Sequence, residues 1–144
     1  MIDARGVNHI GIAVRSLEEH RAYYEDVLGA EYEGTEDVPS QMVRVAFYRV
    51  RGPAAVRLEL LQPTSPDSPV ARFLDRRGEG VHHVAYTVAG IEQRLRELGE
   101  AGIRRIDDTP RPGAHGMRIA FLHPGSTGGV LTELCEPSDD VVVD

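Results

Sequence analysis

The chain has no lysine and no tryptophan, and it has a single cysteine and few aromatic residues (6%). Without lysine, all 16 basic side chains are arginines. That excludes a Schiff-base mechanism built on an internal lysine and leaves anion recognition to guanidinium groups. Cys135 has no second cysteine to pair with, and its place at the end of an apolar run makes it a buried thiol rather than a nucleophile. The scarcity of aromatics argues against a binding module that sequesters flat, drug-like molecules by stacking. No apolar run approaches the roughly 18 residues needed to span a bilayer. The opening Met1-Ile2-Asp3-Ala4-Arg5 carries no signal-peptide apolar segment, so a cytoplasmic location is expected. The net charge is −7, with the acids scattered along the chain. This argues against a surface that neutralises many nucleic-acid phosphates. The expected partner is therefore a small molecule, with neither nucleic acid nor membrane involved.

What the chain does have is an internal repeat. Shifted by 74 positions, it matches its own second half. His9-Ile-Gly-Ile-Ala-Val falls on His83-Val-Ala-Tyr-Thr-Val, Arg44-Val-Ala-Phe on Arg118-Ile-Ala-Phe, Glu59 on Glu133 and Pro63 on Pro137. Duplication of a scaffold explains the apolar matches, which need only stay apolar. It does not explain the acids. At 144 residues and 41% apolar, the chain can form one ordinary core or two half-sized units that share one.

The periodicity predicts an α+β fold of two βαβββ modules in a single domain over residues 1–144. Module one spans about 6–63, a packed connector 64–80, module two about 81–137, and a mobile tail 138–144. Val7 to Val14 alternates as a strand, with Ile10, Ile12 and Val14 on one face and His9, Gly11 and Ala13 on the other. Ser16 with Glu19 forms a capping box for a helix to about Leu28, with Leu17, Tyr24 and Leu28 buried and Gly29 ending it. Strands are expected near 30–35, 42–50 and 55–62. The second half repeats the order: a strand at 81–88, a helix near 90–101 through Ile91, Leu95 and Leu98, then strands near 103–107, 117–123 and 129–135. Val70, Phe73 and Leu74 give the connector a short helix.

A βαβββ unit covers only one face of its sheet with its helix, so two paired units form a curved sheet around a shared cavity. Alternation sends His9 and His83 to the face opposite their apolar neighbours, and Glu59 and Glu133 interrupt apolar runs. Buried carboxylates cost several kcal/mol unless something positive compensates them. Two of them beside two imidazoles call for a divalent cation held by His9, Glu59, His83 and Glu133. This nitrogen and oxygen set suits cobalt(II), nickel(II), manganese(II), zinc(II) or iron(II), with positions left for water or substrate. His82 falls on the other face and has Asn8 as its repeat counterpart.

His9-Ile-Gly-Ile-Ala-Val, Glu59-Leu-Leu-Gln-Pro, Gly80-Val-His-His83-Val-Ala and Phe121-Leu-His-Pro-Gly-Ser-Thr-Gly-Gly-Val-Leu-Thr-Glu133-Leu closely resemble the methylmalonyl-CoA epimerase family of the vicinal oxygen chelate superfamily. The resemblance covers about residues 6–137. It extends to Asp67-Ser-Pro-Val-Ala-Arg-Phe-Leu and to the Gly113-Ala-His-Gly116 loop. It implies an isomerase that binds an acyl-CoA and, with metal, removes the α-proton of a 2-methylmalonyl thioester as an enolate forms. Glu133 matches the family base and Glu59 is the candidate for its partner. Ser126, Thr127, Gly128, Gly129, His115 and Gly116 are the implied substrate contacts, and a homodimer is implied. Two positions depart from the family. Some relatives carry a glutamate where this chain has Val45, and many carry a lysine where it has Gly125, which leaves CoA to arginines and backbone N–H groups near Ser126 to Gly129. A glyoxalase I-type isomerase uses a similar ligand set and is the alternative reading. An extradiol dioxygenase, which normally uses one carboxylate fewer at iron(II), fits less well.

Overall fold

The computed structural model describes residues 1–53 and 56–138. The chain divides into two compact units, one of His9–His82 and the other of Met1–Asn8 with His83 onward. The expected tail at 139–144 and the start of the strand expected at 55 lie outside the described residues.

The unit His9–His82 contains most of β1 (Val7–Ala13), then α1 (Leu17–Arg21), β2 (Glu31–Val38), β3 (Val43–Arg49), β4 (Arg57–Pro63) and α2 (Pro69–Arg77). Its strands lie in the order β2-β3-β4-β1. β1 and β4 are parallel, with Gly11 opposite Glu59, whereas β3 is antiparallel to both β2 and β4. In the other unit, most of β5 (Gly80–Thr87), with α3 (Ile91–Glu100), β6 (Arg111–Pro112), β7 (Met117–Leu122) and β8 (Thr132–Pro137), repeats the plan in the order β5-β8-β7-β6. Ala85 here stands opposite Glu133 and Phe121 opposite Glu133 on the other side, as Gly11 and Phe47 flank Glu59. The 74-residue shift therefore preserves strand register as well as strand order.

Each helix covers one sheet face. Val14, Tyr24, Ala30, Ala46, Tyr48 and Leu60 form the core under α1, and Val88, Ile91, Leu95, Leu98, Ala120, Leu122 and Leu134 form its counterpart under α3. Ser16 caps α1, its hydroxyl accepting the Glu19 N–H at 3.3 Å, as the capping box predicts. The connector helix exists as expected, with Val70 and Leu74 buried. Among the described residues no helix is long and apolar enough to cross a membrane.

Three expectations need correction. Leu28 is 42% exposed rather than buried. After Arg21 the helix widens into a π-turn over Ala22–Val27, closed by Leu28 N–H to the Tyr23 carbonyl at 2.8 Å. The wider turn carries Leu28 off the α-helical stripe. The strand expected at 103–107 is reduced to an isolated Arg105–Leu122 bridge. The Asp107 carboxylate takes the Phe121 N–H at 2.9 Å, occupying the place that a neighbouring strand carbonyl would fill. Pairing resumes only at Arg111. The last strand starts at Thr132 rather than 129, because Gly128 (φ 72°) and Gly129 (φ 90°) are left-handed and cannot extend a ladder.

The repeat also governs how each helix begins. The Leu17 N–H donates to Gln62 Oε1 at 2.9 Å, and at the corresponding place the Gly90 and Ile91 N–H groups donate to Glu136. Burial pushes the Glu136 carboxyl up, but the Gly90 N–H, the Arg118 guanidinium and the Ile91 N–H outweigh it and hold Glu136 below the ordinary glutamate range. A carboxylate lowered in this way stabilises the fold above its unfolded-state pKa, and that stabilisation is lost as pH falls through the folded value. Glu136→Gln is expected to cost about 1–3 kcal/mol at pH 7. In denaturant melts the gap from wild type should close as pH falls below the usual glutamate range; a gap independent of pH would contradict this account.

Candidate metal centre

Each unit builds one histidine–glutamate pair from its two parallel strands. Residues two apart on a strand share a face, so with Gly11 opposite Glu59, His9 and Glu59 project from the same side. His9 Nδ1 lies 3.1 Å from Glu59 Oε2, with the side chains 7% and 8% exposed. In the second unit, His83 Nε2 lies 2.8 Å from Glu133 Oε2, with the side chains 2% and 5% exposed. Apolar side chains line much of each face, with Arg57 opposite His9 and the Arg111 guanidinium 5.7 Å over the Phe121 ring. Phe121 meets the His83 ring edge-on, with centroids 5.4 Å apart, and Ala85, Ile119 and Cys135 pack around it. Cys135 is the buried thiol expected from the sequence, donating to the Tyr86 carbonyl at 3.4 Å. Phe47, opposite Glu59, is also fully buried.

A carboxylate in such surroundings loses several kcal/mol of hydration, and a neighbouring imidazole restores only part of it. His9, His83 and Glu133 are all buried, and each offers a nitrogen or oxygen atom of the kind that holds a metal ion. Donors of this kind suggest a metal site. The donor chemistry fits a borderline divalent cation, since imidazole and carboxylate are present and thiolate is not.

The other sequence-predicted residues sit in two loops of the second unit. The loop from β7 to β8 opens with a 3-10 turn over Pro124–Ser126. Ser126 Oγ accepts the Arg104 N–H at 3.0 Å, and the Thr127 hydroxyl donates to the Val130 carbonyl, so both hydroxyls brace the loop. Gly128 and Gly129 form the exposed turn just ahead of the strand bearing Glu133. A side chain at Gly125 would meet His123 Nδ1 at 3.0 Å, the same atom that accepts the Gly125 N–H. His115 and Gly116 lie in a turn before β7, both left-handed (φ 55° and 65°) and exposed. His82 points away from the pairs, as alternation predicts, with its ring edge-on to Phe73 at 5.0 Å.

Val45 is buried, 2% exposed, between Leu61 on β4 and Glu36 on β2. Direct opposition puts Glu36, Val45 and Leu61 on one face, and Glu59 is two residues from Leu61. Half-buried Glu36 is thus a further carboxylate on the Glu59 face. The strand expected at 30–35 stops short of Glu36, and the bulge between Tyr32 and Thr35, around left-handed Gly34, changes the facing of the later β2 residues.

The family model of the Glyoxalase/Bleomycin resistance protein/Dioxygenase superfamily matches residues 8–121. The chain belongs to that superfamily. Within it, the chain is a close relative of methylmalonyl-CoA epimerases. It is 40% identical to the bovine mitochondrial methylmalonyl-CoA epimerase over 129 residues, covering 89% of this chain and 72% of that protein. The uncharacterized Bacillus subtilis protein YqjC is 44% identical over 134 residues, covering 93% and 94%. A Streptomyces coelicolor methylmalonyl-CoA epimerase variant, solved with 2-nitronate-propionyl-CoA, superposes with a TM-score of 0.89 at 37% identity, over 95% of this chain and 97% of that one.

A metal bound only by the folded protein raises its stability by mass action, about 2.7 kcal/mol at a hundredfold excess over Kd. Chelator-treated protein is therefore expected to gain several degrees in Tm when cobalt, nickel, manganese, zinc or iron(II) is added, and His83→Ala should abolish the gain. A wild-type Tm indifferent to all five ions would contradict the site.

Proposed function

We propose that this protein is a metal-dependent epimerase that interconverts (R)- and (S)-methylmalonyl-CoA, or a close 2-alkylmalonyl-CoA. The observation that carries the reading is the pair of buried histidine–glutamate contacts at repeat-related positions, in a chain about 40% identical to a methylmalonyl-CoA epimerase. In this reading His9, Glu59, His83 and Glu133 face one cavity lined by a curved sheet and grip a single divalent cation, with cobalt(II) the first choice. The internal repeat supports the shared ion, as does superposition on an epimerase over nearly the whole chain. Bound there, the cation would supply fixed positive charge against the negative charge that develops on the thioester oxygen.

The protein's own groups handle the proton. Glu133 accepts the α-proton, and its place in an apolar wall beside Phe121 keeps water from competing for it. Inversion returns a proton to the opposite face, which needs a second group. With Val45 where some relatives hold a glutamate, we assign that role to Glu59, the repeat counterpart of Glu133. Gly128, Gly129, Ser126 and Thr127, together with His115 and Gly116, receive the substrate through loop backbone and exposed turns. The nitronate ligand of the Streptomyces coelicolor relative is a planar conjugated anion, chemically akin to an enolate, and supports this reaction class. The proposal includes a cytoplasmic homodimer joined at a sheet edge. β2, outermost of its four strands and exposed along most of its length, is the support.

In deuterated water, metal-loaded protein given one epimer should yield α-deuterated product of both configurations. Absence of exchange with every 2-substituted malonyl thioester would reject the proposal, and formation of a lactoyl thioester from methylglyoxal and a thiol would transfer it to the glyoxalase I-type reading. Glu133→Gln should lower turnover by about a hundredfold to ten-thousandfold. Undiminished turnover would remove Glu133 from the base role. Glu59→Gln with metal retained should show a comparable loss, and full activity would leave Glu59 as a ligand only.

A further inference from the structure

In the unit His9–His82, six of the nine guanidinium groups are matched. Arg21 meets Glu25, Arg44 meets Asp37, Arg49 and Arg51 meet Glu31, Arg57 meets Glu33, and Arg15 donates to the Leu74 carbonyl. The exceptions among the described residues are Arg72, Arg76 and Arg77, all on α2 and all exposed. At 3.6 residues per turn the three fall within an arc of about 140°. Asp75, the helix's one acid, lies outside that arc. Arg77 is also held in place, its guanidinium 5.8 Å over the Phe73 ring, while the ring edge of Phe73 meets His82. Basic residues in a last turn do favour the helix dipole. That explains Arg76 and Arg77 but neither Arg72 nor the absence of partners in a chain of net charge −7. Three exposed guanidinium groups on one helix offer an anion a local attraction that the chain's net charge does not.

We infer that Arg72, Arg76 and Arg77 bind the phosphates of the nucleotide end of the acyl-CoA substrate. The inference rests on the proposed function for the identity of the substrate. Its geometry is that of the unit itself. α2 packs at the ends of the strands that carry the first histidine–glutamate pair: Arg15, just past β1, bonds the Leu74 carbonyl at 3.4 Å, and Ser68, which caps the helix, donates to the Gln41 carbonyl at 3.1 Å. From Glu59 to Pro63, where β4 ends, is about 13 Å along the strand. A thioester reacting at Glu59 can reach α2 only through an extended arm. Pantetheine is such an arm, and it ends in a diphosphate and a ribose 3′-phosphate. Free inorganic phosphate or a short acyl thioester lacks that reach.

The triple substitution Arg72→Ala, Arg76→Ala, Arg77→Ala should raise KM for methylmalonyl-CoA by about tenfold or more while leaving kcat near wild type. For the N-acetylcysteamine thioester, which lacks the nucleotide, both constants should match wild type. The triple Arg→Lys variant keeps the charge and should recover most of the affinity. Added salt should weaken wild-type binding and affect the alanine variant far less. Calorimetry with adenosine 3′,5′-bisphosphate separates this inference from the epimerase reading, because it needs no turnover. Binding to wild type that disappears in the alanine variant upholds the cluster even if no thioester is epimerised. Equal bisphosphate affinity in both proteins, no binding to either, or retention of wild type on phosphatidylserine vesicles without nucleotide binding would overturn it.

Discussion

The structure turns on two carboxylates, Glu59 and Glu133, each buried on a sheet face beside a histidine. Each sits on a strand parallel to one bearing a histidine, and each is flanked by a buried phenylalanine on the antiparallel neighbour. Removing a carboxylate from water costs several kcal/mol. Two such costs at repeat-related positions are a steady drain on a fold whose net stability is of order 5–15 kcal/mol. The rest of the molecule is arranged so that these groups can stay where they are. Helices cover the opposite faces, and the strand register that aligns histidine with glutamate recurs across the duplication.

Much of this was legible in the sequence because the repeat preserves side-chain facing as well as residue type. A strand has a period of two, so matching His9 with His83 and Glu59 with Glu133 also fixes which side each group projects from. The capping box at Ser16, the connector helix and both helix–sheet cores followed from local patterns that tertiary packing did not override. What failed to read out depended on a side chain competing with the backbone or on an extra residue in a turn or strand. Asp107 takes an N–H that a strand would have used, and a π-turn rotates Leu28 into solvent. The strand expected at 30–35 stops short of Glu36, and at the Gly34 bulge one extra residue changes the facing of those beyond it. No propensity scale carries these effects, because each depends on a partner distant in sequence or on one residue inserted into a turn.

The two halves are alike in architecture but have diverged in charge. The Arg44 guanidinium pairs with Asp37, whereas its counterpart Arg118 pairs with Glu92 and Glu136. Gln62, neutral, does for the first helix what Glu136 does for the second. The paired glutamates did not diverge, and the strand contacts around them kept their register. That contrast between variable surface pairing and preserved buried acids supports the proposed metal-binding role of the acids.

Metal stoichiometry on the native protein, with the coordination sphere resolved by X-ray absorption, tests the central claim most directly. The account predicts one divalent ion per chain, ligated by two imidazole nitrogens and carboxylate oxygens, with the remaining positions taken by water. Two ions per chain, one at each histidine–glutamate pair, or no ion after reloading with any of the candidate metals, would contradict it.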